Sequence, residues 1–153
     1  MKGSKLLVTR MLIGALMLAG LSVVGPQTAQ AASCYGPSCA GQSASATGCS
    51  QGARYLGTWR AWGTNGDVAA YVEVYHSDAC GSAWLLVAVP FNAYLGTVST
   101  IWNPGKASQP ARPGAGAWAP SPMVDDRPGV QTCFGTQVYR YGAWFQWQQH
   151  ACY

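Results

Sequence analysis

The chain has 153 residues, 49% of them hydrophobic and only 9% charged, with six cysteines and a formal net charge of +4. Three of the nine cations, Lys2, Lys5 and Arg10, sit at the N-terminus, and the six that follow face five acids. With no basic cluster beyond residue 31, the composition excludes a nucleic-acid binder, whose phosphates must be matched by many cations. It also leaves nothing to dock electrostatically on an anionic membrane.

Residues 1–31 carry a charged head, an apolar stretch over 11–24, a Gly25-Pro26 break and an Ala29-Gln30-Ala31 end. That order of features reads as a signal peptide cleaved after Ala31. The apolar stretch is short of the roughly 20 residues that a membrane-crossing helix needs. The expected product is a secreted protein, extracellular or attached to the cell surface, with no stable membrane insertion after cleavage. Residues 32–153 are the right length for one domain with a core of its own.

All six cysteines lie in that part, at 34, 39, 49, 80, 133 and 152. An even number in an exported chain reads as three disulfides. Cys133–Cys152 is expected because closing strands between them form a local hairpin. Cys49–Cys80 would pin the leader to a turn, which leaves Cys34–Cys39. For zinc, only Cys34 and Cys39 approach ligand spacing, no second pair completes the set, and His76 and His150 have no ligand-spaced neighbours. No metal and no cofactor are expected.

Residues 32–52 have no apolar periodicity and form a leader ordered by its disulfides. Residues 53–62 read as a strand, followed by a turn centred on Asn65-Gly66. Over 68–76 the residues alternate: Val68, Ala70, Val72 and Val74 share one face, Ala69, Tyr71, Glu73 and Tyr75 the other. Period two with β-branched and aromatic residues is a strand, its valine face toward the core. Residues 84–89 fit a buried central strand, and 94–102 a further one. Residues 103–129, dense in proline and glycine, read as mainly loop. Residues 130–134 and 137–147 read as a closing pair of strands. The fold class is therefore all-β, a small disulfide-stapled antiparallel sandwich or partly open barrel.

Several local patterns stand out: Cys34-x4-Cys39 followed by Gly41-Gln42, Thr47-Gly48-Cys49, Val72 to Cys80 with Trp84 four residues on, and Ser121-Pro122-Met123-Val124-Asp125-Asp126 before Cys133. Together they resemble the domain of unknown function 2690 family, bacterial secreted or surface-associated domains. The resemblance spans about residues 34 to 133, and the cysteine order with the Cys80/Trp84 pair is its most specific element. Two departures are visible. The family's L-R-Y-S becomes Val74-Tyr75-His76-Ser77, and Leu85-Leu86 replace basic residues after the tryptophan. The resemblance implies export and fold, and carries no catalytic residue.

Hydrolysis needs paired carboxylates or a nucleophile with a base. The candidates are Glu73 beside Tyr71 and Tyr75, the Asp125-Asp126 pair, and His76 with Asp78. The elbow that would supply a serine is missed by one residue at Gly41-Gln42-Ser43-Ala44-Ser45. Against this stand 7 Trp, 8 Tyr and 3 Phe, all beyond residue 31. A small core does not hide so many rings, and Trp and Tyr keep a polar end that seeks a partner. Trp59 and Trp62, like Trp144 and Trp147, are three apart, which in a strand points one ring in and one out. The leading expectation is a non-catalytic module binding cell-wall glycan or an extracellular protein through Trp59, Trp62, Trp144, Trp147, Tyr71 and Tyr75. The alternatives are a small hydrolase using Glu73 or Asp125/Asp126, and a structural or toxin-like secreted factor.

Overall fold

A computed structural model describes residues 31–90, 96–140 and 143–153. Residues 1–30 of the expected signal peptide and the first residues of the strand expected at 94–102 lie outside them. Two antiparallel sheets stack into a sandwich. The first runs β1 (Arg54–Trp62), β2 (Val68–Ser77), β3 (Ser82–Ala88) and β6 (Trp118–Pro120), with β7 (Val124–Asp125) also on β3. The second runs β5 (Gln109–Ala111), β4 (Gly96–Trp102), β8 (Cys133–Arg140) and β9 (Ala143–Cys152). The only helical segment among the described residues is the 3-10 turn Gly36–Cys39.

The alternation in β2 sets the inner face. Val72 pairs with Val87 and Val74 with Leu85, and all four are fully buried. They meet Ile101, Phe134 and Val138 of the second sheet in one apolar cluster. Trp59 enters it from β1, edge-on to Phe134 with ring centroids 4.7 Å apart. Asn65-Gly66 makes the β1–β2 turn, with Gly66 at φ +84°, a conformation that glycine reaches without strain. Beside it Trp62 couples the edges of the two sheets. Its N–H donates to Gln148 Oε1 (3.0 Å), and Gln148 Nε2 donates to its carbonyl (2.6 Å).

The leader forms a second, smaller core on the outside of the first sheet. Cys39, Ala44, Cys49, Cys80, Trp84 and Met123 pack together, with Tyr75 stacked on Trp84 at 6.0 Å. The bridges are Cys34–Cys39, Cys49–Cys80 and Cys133–Cys152, the pairs expected from the sequence. Cys133 and Cys152 are direct cross-strand partners.

Two expectations change. Residues 103–129 hold three short strands, β5 to β7, because their prolines sit where an edge strand tolerates them: Pro110 pairs with Thr100 and Pro120 with Leu86. The closing pair is also shifted along the chain from the expected 130–134 and 137–147. Gly135-Thr136, read as the break between strands, lies inside β8, and β9 begins at Ala143. Gly135 is there for space: a Cβ on it would lie 2.5 Å from the ring of Trp147 and 2.8 Å from the Gln148 carbonyl oxygen.

Candidate functional site

Pairing places the aromatic residues on three surfaces. On the outside of the second sheet, Trp147 (45% exposed) leans over Gly135 to Trp102, ring centroids 5.6 Å apart. Gln137 is the cross-strand partner of Trp147, and Gln149 is the partner of Gly135. Two indoles, one resting on a glycine and wedged by the other, thus sit between amides on an exposed β-face. Such a surface offers apolar ring area at fixed position together with uncharged donors and acceptors, with little side-chain entropy left to lose on binding.

The outside of the first sheet is divided. Toward the leader, Tyr55, Tyr75 and Trp84 form a cross-strand row, and Tyr75 Oη donates to Glu73 Oε2 at 2.8 Å. That carboxylate holds the Tyr75 hydroxyl above the ordinary tyrosine range, with burial adding to the effect. Toward the other end the row is Arg60, Tyr71, Ala88 and Trp118, with Trp118 57% exposed and Ala88 between the two rings. Of the six residues expected to bind, Trp59 is inward in the core. Trp62 is exposed at the edge between the sheets, and Trp147 and Tyr71 are exposed on opposite outer faces. Tyr75 is half-buried under the leader, and the side chain of Trp144 lies outside those described. No single face collects them. Trp102, Trp118 and Gly135 were not singled out in the sequence, because each acquires its place only through strand register.

The third surface is a charged cleft of about 510 Å³ whose lining includes Tyr35, Arg54, His76, Asp126, Arg127 and Tyr153. His76 Nδ1 lies 2.6 Å from Asp126 Oδ2, and its Nε2 lies 3.0 Å from Asp78 Oδ1. Buried Asp126 also accepts from Thr132 Oγ1 at 2.7 Å. Exposed Asp78 takes a bidentate pair from Arg54 at 2.9 and 3.0 Å. Those Arg54 bonds, then the one to His76, hold the Asp78 carboxyl below its ordinary range. Burial, then the charge and hydrogen bond of Asp126, push the Tyr153 hydroxyl well above its own.

The sequence-level acid candidates separate in space. Glu73 engages Tyr75. Asp125 is clamped by Arg127 Nε and Nη2 at 2.9 and 3.0 Å, while neighbouring Asp126 turns inward to His76 and Thr132. Asp125 ends β7 and Asp126 follows it, and their carboxylates engage different partners, so the two do not form a carboxylate pair. Four sulfur atoms, those of Cys34, Cys39, Cys49 and Cys80, gather within 4.8 Å of one another under the leader. Comparison with protein-family models, curated proteins and solved structures returns no match.

Proposed function

We propose that this is an exported, non-catalytic binding module that takes a cell-wall glycan on the outer face of its second sheet. The observation that carries the reading is the indole pair: Trp147 exposed, laid over Gly135, propped by Trp102 and set between Gln137 and Gln149. Sugar rings present apolar C–H faces edged with hydroxyls, and a fixed indole with flanking amides complements both. Export is supported by the order of features in residues 1–31 and by three disulfides, which persist in oxidising compartments. Among the described residues no helix is long and apolar enough to cross a membrane.

We further propose membership of the domain of unknown function 2690 family. The residues that carry the resemblance support it by their placement: Cys34, Cys39, Cys49, Cys80, Trp84 and Met123 all belong to the second core. These six, scattered over ninety residues of sequence (34–123), pack together where the leader meets the first sheet.

The test is retention on insoluble peptidoglycan by co-sedimentation. Trp147→Ala and Trp102→Ala should each weaken retention by about tenfold or more, roughly 1.4 kcal/mol, while denaturation midpoints barely move for Trp147→Ala. Retention unchanged in both variants ends the glycan reading. A second reading, hydrolysis at the cleft, rests on the Asp126–His76–Asp78 arrangement. It requires release of soluble fragments from the same glycan by the parent chain and none by His76→Gln. Binding without release leaves the cleft as the ion network that ties β1, β2 and the segment after β7 together.

A further inference from the structure

We infer that Cys34, Cys39, Cys49 and Cys80, when reduced, form a tetrathiolate zinc site. The sequence offered only Cys34 and Cys39 at a suggestive spacing. The fold supplies the missing pair by bringing Cys49, late in the leader, and Cys80, in the turn between β2 and β3, to the same point. All four sulfurs lie within 4.8 Å of one another. Zinc binds thiolate sulfur at about 2.3 Å in a tetrahedron, which sets neighbouring sulfurs at about 3.8 Å. Cys34 Sγ and Cys49 Sγ, which belong to different bridges, already stand 3.7 Å apart.

The surroundings suit the ion. Cys39, Cys49 and Cys80 are fully buried, while Cys34 is only partly covered, which leaves a path inward. Thr47 Oγ1 lies 3.0 Å from Cys49 Sγ as well as within reach of the Ser43 and Ala44 carbonyls, so its one proton is placed to turn to a thiolate as an outer-shell bond. The four backbone positions lie outside the strands, in the leader, its 3-10 turn and the turn between β2 and β3.

The chemistry balances with a phosphine as reductant. Each disulfide takes up two electrons and two protons to give two thiols. The phosphine is oxidised to its oxide, with the oxygen drawn from water. Zinc then displaces the thiol protons and is held by four sulfurs. The oxidation state of the four sulfurs thereby selects between two staples for one leader: two covalent bridges, or one metal ion.

The experiment reduces the chain with a phosphine under anaerobic conditions, adds zinc, and counts bound metal after desalting. Cobalt serves as the spectroscopic probe for tetrahedral thiolate coordination. The parent chain and a Cys133→Ala/Cys152→Ala double variant should each hold close to one zinc and give the tetrahedral cobalt spectrum. A Cys39→Ala/Cys49→Ala variant should hold none. Absence of zinc on the parent chain overturns the inference, and so does equal uptake by the Cys39→Ala/Cys49→Ala variant, which would mean that the unfolded chain is the ligand.

Discussion

Gly135→Ala probes the join between the fold and the proposed glycan surface. The new Cβ would stand 2.5 Å from Trp147 Cζ2, about 1 Å inside the ~3.5 Å contact distance between carbons. The ring can swing away, but the Gln148 carbonyl oxygen at 2.8 Å belongs to the paired strand and cannot. Overpacking of this kind costs about 1–3 kcal/mol. Trp147→Ala removes a ring that is 45% exposed and should cost under about 1 kcal/mol. In the double variant the ring clash disappears and only the carbonyl contact remains. Urea denaturation of all four proteins closes a double-mutant cycle, and the two substitutions should compensate by about 1 kcal/mol or more. Additivity within about 0.5 kcal/mol would refute the claim that the indole rests on Gly135. In the retention assay, Gly135→Ala should lose binding in step with ring displacement, although the residue itself offers the ligand nothing.

Opening the bridges singly should destabilise in order of the loop each closes. In the chain-entropy account, Cys49–Cys80, separated by 31 residues, and Cys133–Cys152, separated by 19, are worth about 3–4 kcal/mol, and Cys34–Cys39, separated by 5, about 2. Denaturation of paired Cys→Ala variants measures this, and a larger loss at Cys34–Cys39 than at Cys133–Cys152 would contradict it. Acid should weaken the fold in two stages. Burial lowers the His150 pKa from 6.5, so the folded state resists the proton and stability declines as pH falls below that value. The Asp78 carboxyl, lowered from 3.8 by Arg54 and then His76, keeps its contribution above that value and loses it only as pH drops through the folded pKa. Equilibrium unfolding against pH should lose the first stage in His150→Gln; an unchanged curve would place the titrating group elsewhere.

The strand pattern was readable because period two needs only neighbouring residues. Val72, Val74 and the run 84–89 announce buried faces whatever they pack against. The same locality explains the misplaced turn. Glycine is a break signal when its neighbours along the chain are all one sees, and the reason for Gly135 is a ring twelve residues away. Of the three bridges, Cys133–Cys152 was legible from loop logic, since a hairpin brings its ends together without reference to the rest of the fold; the pairing of the other four cysteines is decided by where the leader packs.

What the chain alone determined is therefore its β-rich class, its inner face, an even set of cysteines for three bridges and the excess of aromatic rings over what a small core holds. Only the tertiary structure decided which rings share a surface. Register sends Trp59 inward to Phe134, Trp147 outward to Trp102 and Trp118 to the opposite side beside Ala88. It also decided that His76 meets Asp126, fifty residues on, and that four sulfurs from the leader and the β2–β3 turn meet at one point. Such encounters depend on which strands pair and in what register, and that is fixed by burial summed over the whole chain rather than by any local pattern.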